Sequence, residues 1–241
     1  MEVMLFPVDE EEVINKLYIA CRTCYSAGEP QDMYYDELYT TEKHTKEQKL
    51  KLLNYVISSG HHSVLEHVQL TFTISGVSRS FSHQWVRHRL CSFSQQSQRY
   101  VEFKDGNFKF VYPPTIEKNE EAVRIFDECI EKISQTYAAL TEMGIPAEDA
   151  RAVLPNACCT NLTWSCNLRE LMRVINERAC SCAQQEARNV AREVASKTVK
   201  ALPFMKPYLV PKCEMLGYCN EPRRSCGRKK LKEEVLNDKN N

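Results

Sequence analysis

The sequence lacks three features that mark large classes of protein: a surplus of charge of one sign, a long hydrophobic run and a glycine-rich phosphate loop. Lys and Arg together number 32, and so do Asp and Glu, so the formal net charge is zero. Proteins that coat nucleic acid or a membrane surface usually carry a basic surplus. No stretch approaches the roughly 18 apolar residues of a membrane span. We therefore expect no nucleic-acid partner and no membrane partner.

Glycine is scarce: the chain has seven glycines in 241 residues, and no GxGxxG motif follows a strand pattern. A Rossmann-type dinucleotide site needs those glycines, because the pyrophosphate approaches the backbone closely at the start of a helix. If this protein binds a pyrophosphate, arginine and histidine side chains must hold it.

The beginning of the chain, MEVMLFPVDEEEVINK, has no basic segment and no long apolar run, so we expect no secretion signal. The twelve cysteines are scattered through helical and strand patterns. In a chain without an export signal such cysteines are most simply reduced thiols, which predicts a cytoplasmic protein.

Hydrophobic periodicity predicts a mixture of helices and strands. The composition, 43% apolar and 27% charged, is that of a globular protein. Helical spacing predicts helices over residues 10–26, 45–59, 77–89, 116–143, 147–153, 168–178 and 181–200. Alternation predicts strands over residues 68–76, 99–103, 108–112 and 163–167, with a loop over 90–98. The pattern indicates one α+β domain.

The end of the chain, from residue 213, is rich in Lys, Arg, Glu and Asn and predicts a loosely held terminus. It contains Cys213, Cys219 and Cys226, at spacings of six and seven residues. Three thiolates could bind zinc only with a fourth ligand from elsewhere, so a zinc site and free thiols both stay open as interpretations. Cys180 and Cys182 are interpreted as structural.

The segment RHRLCSFSQQSQRY, residues 87 to 100, concentrates positive charge and contains no acidic residue. Its cationic side chains are Arg87, His88, Arg89 and Arg99. An uncompensated charge is costly to bury, so either water or an anion must surround these groups.

The helix predicted before this segment adds polar groups to it. Phe81 and Trp85 lie four residues apart and are predicted to face the core. The opposite face carries Gln84, Arg87 and His88. Guanidinium groups bind phosphate in a bidentate manner, and a glutamine amide can bind the polar edge of a pyrimidine. Three hypotheses stay open: a solvated basic loop, a site for a small anion, and a nucleic-acid-binding module that stacks bases on Phe93 and Tyr100.

The segment resembles the RHRxxSxxxxSxR signature of flavin-dependent thymidylate synthases, the ThyX family. The positions in register are Arg87, His88, Arg89, Ser92, Ser97 and Arg99. GHHSVLEHVQLTFTISG resembles the family's GHxTxxEHxxFTF stretch, and SHQWVRHR resembles its RQWxRHR. RAVLP and NLRELMRVINERACSCAQQEAR resemble later blocks, so the resemblance spans roughly residues 10 to 205.

The resemblance implies an enzyme that converts dUMP to dTMP. Its carbon donor is 5,10-methylenetetrahydrofolate, and its hydride comes from FAD that NADPH has reduced. It also implies an antiparallel sheet wrapped by helices, and a homotetramer with active sites shared between subunits. The catalytic domain is then residues 1–212, followed by a charged, cysteine-containing tail at 213–241.

The resemblance also implies three groups of site residues. The dUMP positions are Gln84, Trp85, Val86, Arg87, Gln95, Gln96, Ser97, Gln98, Arg99, Arg151 and Arg178. The FAD positions are His61, Ser63, Arg87, His88, Arg89, Gln95, Asn167, Leu168, Arg169 and Arg173. The folate side has His61 and Tyr100. Among these, Arg99 and Arg151 correspond to the phosphate-binding positions.

Arg178 corresponds to the arginine beside the uracil ring and is the predicted catalytic residue. A fixed cation there stabilises negative charge at N3 and O4, which makes C5 more nucleophilic. No covalent protein intermediate is expected, because the sequence assigns no base to activate Cys91 or Ser97.

The chain departs from the family pattern at three positions. Ser94 and Gln95 stand where the signature often has Asn and Glu, and Arg173 stands where other members can have Asn. Gln95 loses the carboxylate charge but keeps hydrogen-bonding capacity.

A second cluster, His61, His62, Glu66 and His67, contains metal-ligating residue types but lacks the HExxH spacing of zinc peptidases. We predict no metal there, and two interpretations stay open: Glu66 and His67 orient each other, or they tie a turn.

Overall fold

The computed structural model describes residues 1–39 and 44–238. The chain forms two compact units, each built from separate stretches of sequence. The first unit comprises Met1–Val3, Thr73–Trp164 and Gln185–Ala187. The second unit comprises Met4–Phe72, Ser165–Gln184 and Arg188–Asn241.

Four strands form an antiparallel sheet in the order β1-β2-β4-β3. The strands are β1 (Glu2–Leu5), β2 (Gln69–Ser78), β3 (Cys91–Gln95) and β4 (Cys159–Asn167). The helices are α1 (Glu10–Thr23), α2 (Pro30–Tyr39), α3 (Lys46–Ser58), α4 (Arg79–Trp85), α5 (Pro114–Glu117), α6 (Glu120–Glu142), α7 (Ala147–Ala150), α8 (Leu168–Arg178), α9 (Gln185–Ala201), α10 (Lys212–Leu216) and α11 (Lys232–Asp238). Short 3₁₀ turns occupy His62–His67, Lys104–Gly106, Arg151–Val153 and Pro203–Met205. The predicted α+β fold is thereby confirmed.

The strand predicted over 68–76 is confirmed as β2. Leu70, Phe72 and Ile74 are at most 2% exposed, and the polar residues between them are more accessible. This alternation follows from the two-residue period of a strand. β4 shows the same alternation and extends the predicted strand at 163–167 back to Cys159.

The helix predicted over 77–89 is wrong at both ends. Ser78 stays in β2 and caps α4, because its hydroxyl accepts a hydrogen bond from the backbone N of Phe81 at 3.0 Å. The helix ends at Trp85, so Arg87 and His88 lie outside it. Capping by a serine hydroxyl decides where a helix begins, and periodicity alone does not reveal it.

The strand assignments between 90 and 112 are also corrected. β3 lies in the predicted loop, with Cys91, Phe93 and Gln95 as its less exposed side and serines between them. The described residues 99–103 form no strand, and 108–112 contribute one isolated bridge, between Phe110 and Cys158. Serine and glutamine obscured the alternation in β3, because neither is typical of strands.

The long helix predicted over 116–143 is divided. Asn119 caps α6 by accepting from the backbone N of Ala122 at 3.0 Å, so α5 and α6 are separate helices. The helix predicted from residue 181 begins only at Gln185. The helix at 168–178 matches α8, whereas β1 and α2 were not predicted.

The tail is more ordered than the sequence predicts. α10 and α11 lie in it, and Cys219 is buried and forms an isolated bridge with Leu231. Elsewhere in the second unit, Leu17, Leu53 and Leu65 are fully buried. Burial of each such side chain contributes about 1.5–3 kcal/mol. Within the described ranges, no helix is long and apolar enough to cross a bilayer.

A charged network is buried in the second unit. The side chain of Glu37 is 3% exposed, and its Oε2 lies 2.8 Å from Lys49 Nζ. His44 Nδ1 lies 2.7 Å from Glu37 Oε1, and Lys49 also donates to Asn15 Oδ1 at 2.9 Å. Burial alone would raise the pKa of Glu37, but the hydrogen bonds from Lys49 and His44 outweigh it and hold the pKa below its ordinary value.

We expect Glu37→Gln to destabilise the protein at pH 7 and to weaken its acid sensitivity. Because the folded-state pKa is depressed, ionised Glu37 contributes stability above its unfolded pKa of about 4.3, and this is lost as the pH falls through the folded value. The variant leaves Lys49 buried without its carboxylate, which costs about 3–5 kcal/mol. Urea unfolding at pH 7 and at lower pH measures both effects. The control is Glu12→Gln, which removes only the exposed pair with Lys16. Identical pH profiles for both variants would contradict the assignment.

Candidate functional site

The predicted site residues are distributed over both units. In the first unit, α4 is anchored through Ser78, whose backbone N and hydroxyl donate to the Glu186 carboxylate at 2.7 and 2.5 Å. Trp85 ends this helix and is fully buried, with ring centroids 5.1 Å from Phe81 and from Trp164. Its complete burial leaves neither the ring nor the backbone of Trp85 exposed. The next residue, Val86, is 37% exposed.

The RHR segment that follows α4 has two exposed arginines and one buried histidine. His88 is 2% exposed and lies edge-on to Trp85, with ring centroids 6.0 Å apart. It therefore does not share a face with Gln84 and Arg87, as the helical spacing predicted. Arg87 and Arg89 are exposed. In the part of the chain that the structure describes, no carboxylate forms an ion pair with Arg87 or Arg89.

Gln95 and Gln96, at the end of β3, form hydrogen bonds with α4 and β4. Gln95 Nε2 donates to Ser82 Oγ at 2.9 Å and to Thr160 Oγ1 at 3.1 Å. An ionised glutamate could not donate these bonds, so the departure from the family pattern fits its surroundings. Gln96 accepts from Asn161 Nδ2 at 3.1 Å, and its backbone N donates to Asn161 O at 2.9 Å.

Ser97, Gln98 and Gln84 are half-buried and hydrogen-bonded. Ser97 Oγ accepts from the backbone N of Arg99 at 3.2 Å, and Gln98 Nε2 donates to Cys158 Sγ at 3.6 Å. Gln84 Nε2 donates to the Ser80 carbonyl at 3.3 Å, within α4. These bonds hold the serine- and glutamine-rich stretch in a defined conformation.

Two arginines that are distant in sequence meet at Glu148. Arg99 Nε and Nη2 lie 3.0 and 2.9 Å from Glu148 Oε2, and Arg151 Nε donates to the Glu148 carbonyl at 2.9 Å. The Arg99 and Glu148 side chains are about half exposed, at 51% and 47%. Arg99 also lies over the ring of Tyr100, 5.4 Å from its centroid. The arrangement offers two guanidinium groups to an anion at the protein surface.

In the second unit, Asn167 and Leu168 form the beginning of α8. Asn167 Oδ1 accepts from the backbone N of Glu170 at 2.8 Å and caps the helix. Leu168 is buried, and its backbone N donates to the Val68 carbonyl at 3.0 Å. Asn167 and Leu168 thus both stabilise the beginning of α8.

Arg169 and Arg173 project from α8 beside carboxylates. Arg169 pairs with Glu66. Arg173 donates from Nε and Nη2 to the buried Glu170 at 2.8 and 2.5 Å, and from Nη1 to Glu177 at 3.0 Å. The hydrogen bond to Glu170 is the main reason that the pKa of Arg173 lies above its ordinary value. An incoming phosphate must compete with two carboxylates for Arg173.

The remaining predicted residues of the second unit are His61, Ser63 and Arg178. His61 and Ser63 are exposed at the start of the 3₁₀ turn, and Arg178 is half-buried at the end of α8. Glu66 pairs with Arg169, a partner that the sequence did not indicate, and it shares a 3₁₀ turn with His67.

A family model described as thymidylate synthase complementing protein matches residues 8–204. The chain belongs to this family. Proteins named flavin-dependent thymidylate synthase are similar to it over most of their length. The one from Nitratidesulfovibrio vulgaris is 40% identical over 233 residues, which cover 93% of this chain and 94% of that protein. The one from Geobacter sulfurreducens is 39% identical and covers 87% of each chain.

Membership of the thymidylate synthase complementing family confirms the family predicted from the RHR signature. The sequence did not single out Glu148, which pairs with Arg99, or Glu186, which binds Ser78 at the start of α4. Glu148 had a local signal, because it lies three residues before Arg151. Glu186 had none, since Ser78 is distant in sequence.

Proposed function

We propose that this chain is a flavin-dependent thymidylate synthase, a methyltransferase that converts dUMP to dTMP. Its carbon donor is 5,10-methylenetetrahydrofolate and its reductant is NADPH. The similarity to two enzymes of that name, over about nine-tenths of the chain, supports the assignment. The structural observation that carries it is the convergence of Arg99 and Arg151 on one residue, Glu148, where Arg99 binds the carboxylate and Arg151 binds the backbone carbonyl.

We assign the phosphate of dUMP to Arg99 and Arg151. A phosphate carries more charge than a carboxylate and accepts paired hydrogen bonds from guanidinium groups. It can therefore replace the Glu148 side chain against Arg99. The half-buried Gln84 and the Ser97 hydroxyl are the polar groups proposed for the nucleoside part. Val86 would contribute a backbone contact, and the fully buried Trp85 would support the site from the core.

We assign the phosphates of FAD to Arg87, Arg89 and Arg169. The donor set fits a pyrophosphate, because Arg87 and Arg89 are exposed cations without an observed carboxylate partner among the described residues. Arg169 would exchange Glu66 for the ligand. When bound and reduced, FAD supplies the hydride. His61 and Tyr100 expose rings that can stack on the flavin and the folate, and Tyr100 is 81% exposed.

Arg178 is proposed as the catalytic residue. Its guanidinium would stabilise negative charge at N3 and O4 of uracil and so make C5 a nucleophile toward the folate's methylene carbon. The reaction then needs no thiol nucleophile. We also propose a cytoplasmic homotetramer with shared active sites, in which residues 1–212 form the catalytic domain. Twelve free cysteines fit a reducing compartment.

Tritium release from dUMP labelled at C5 tests the function. The full-length protein is first freed of bound flavin and then incubated with methylenetetrahydrofolate, FAD and NADPH, and each is omitted in turn. We expect release only when all are present. Turnover without flavin, or none with the complete mixture, would reject the proposal. Light scattering of the same sample tests the tetramer.

We predict that Glu148→Gln tightens dUMP binding. The substitution removes the charge that competes with phosphate for Arg99 but keeps the backbone carbonyl that binds Arg151. An exposed ion pair is worth about 0.2–1 kcal/mol, so the gain should be at most about fivefold. Calorimetric titration with dUMP and with deoxyuridine measures it, and only dUMP should gain. The control, Glu121→Gln, breaks the pair with Arg124 on α6. Unchanged or weaker dUMP binding would show that Glu148 does not compete.

A further inference from the structure

A cavity in the second unit is lined by five of the twelve cysteines. Its volume is about 160 Å³, and the lining thiols are Cys180, Cys182, Cys213, Cys219 and Cys226. The reaction proposed above uses none of them. The fold brings two further thiols, Cys180 and Cys182, to the cavity that the tail cysteines line.

Three elements of the second unit supply these thiols. Cys180 and Cys182 lie in the turn after α8, and Cys213 is the second residue of α10. Cys219 is held by its bridge to Leu231 and by a hydrogen bond from its backbone N to the Lys230 carbonyl at 2.8 Å. The turn and the tail also meet directly, because Cys182 Sγ donates to the Arg224 carbonyl at 3.0 Å.

Four of the five thiols are connected by pairwise interactions. The side chain of Cys182 hydrogen-bonds that of Cys180, and Cys182 also interacts with Cys219. Cys213 interacts with the same two residues, Cys180 and Cys219. Cys226 differs, because it is exposed. The inner set is therefore Cys180, Cys182, Cys213 and Cys219.

The surrounding charge suits an anionic metal–thiolate group. Four thiolates around a dication carry a net charge of minus two, which is costly to hold in a cavity without cations nearby. Lys212, Arg224 and Arg228 line the same cavity together with Glu177 and Glu221, so its lining has a surplus of one positive charge. Four cysteines are a ligand set for zinc, which binds sulfur in a tetrahedron at about 2.3 Å.

We propose that Cys180, Cys182, Cys213 and Cys219 bind a structural zinc ion that joins the tail to the turn after α8. As the structure stands, no three His, Cys, Asp or Glu side chains of residues 1–39 and 44–238 are placed to hold a metal ion. Binding therefore requires the four thiols to rotate into the cavity they line. Each thiol loses its proton to solvent as its sulfur binds the ion.

Elemental analysis of the full-length protein, expressed with zinc in the medium and dialysed without chelator, tests the site. We expect about one zinc per chain. Cys182→Ser and Cys219→Ser should lose it, whereas Cys226→Ser should retain it. Cys129→Ser, which changes an exposed thiol on α6, is the matched control and should also retain it.

Alkylation of the unmutated protein provides a test that does not depend on the folding of variants. The four inner cysteines should resist iodoacetamide in the zinc-loaded protein and react after a strong chelator is added, as read by peptide mass spectrometry. Absence of zinc, or equal zinc in all four variants, would overturn the site. Iron in place of zinc, or loss of metal in Cys226→Ser, would overturn the stated metal or the stated ligands.

Discussion

Arg178→Ala should abolish thymidylate formation while the protein keeps its flavin. The residue is proposed to act where negative charge develops on the uracil ring, so its loss affects the reaction more than ligand binding. Removal of one such preorganised donor typically lowers the rate by about 10²–10³-fold. Single-turnover tritium release measures the rate, and the visible absorbance of the purified protein measures the flavin.

Two further variants separate catalysis from structure at this position. Arg178→Lys keeps the charge but not the planar guanidinium, so we expect an intermediate rate. Arg192→Ala removes an exposed arginine from α9 and should leave the rate unchanged. Because Arg178 ends α8, its cation also interacts with the helix dipole, and thermal unfolding should show only a small loss of stability. A near-normal rate in Arg178→Ala would disprove the activating role.

Arg99→Ala should remove most of the preference for dUMP over deoxyuridine. Arg99 places two guanidinium nitrogens within 3.0 Å of the Glu148 carboxylate, and a phosphate in that position would receive the same pair of bonds. A charge-assisted hydrogen bond contributes about 1.5–3 kcal/mol, so dUMP should bind about tenfold to a hundredfold more weakly. Deoxyuridine, which lacks the phosphate, should bind almost as before.

The double variant of Arg99 and Glu148 tests whether the two residues act on dUMP binding together. If the two residues act on the same anion, Glu148→Gln should tighten dUMP binding in the unmutated background but not in Arg99→Ala. Arg124→Ala is the control, since it removes another exposed, carboxylate-paired arginine of the first unit. If Arg99→Ala still binds dUMP far better than deoxyuridine, the phosphate of dUMP does not bind at Arg99.

Some of the predicted site residues could be placed from local sequence signals, whereas others are positioned by contacts with residues distant in sequence. α8 is predicted to the residue, because helical period and the capping Asn167 are local signals. Its Arg169, Arg173 and Arg178 could thus be placed on one helix from the sequence. His88 could not be placed, because its burial against Trp85 depends on where α4 ends. β3 escaped prediction for a similar reason: its serine-rich sequence becomes a strand through pairing with β4.

The amino-acid sequence alone determined the family, the main helices, strand β2 and the concentration of arginines in residues 87–99, since each is recorded in stretches of residues that are close in the chain. The tertiary structure alone decided which carboxylate Arg99 meets, namely that of Glu148. It also decided that the turn after α8 faces the cysteines of the tail. Those contacts join residues tens of positions apart, and no local period or spacing records them.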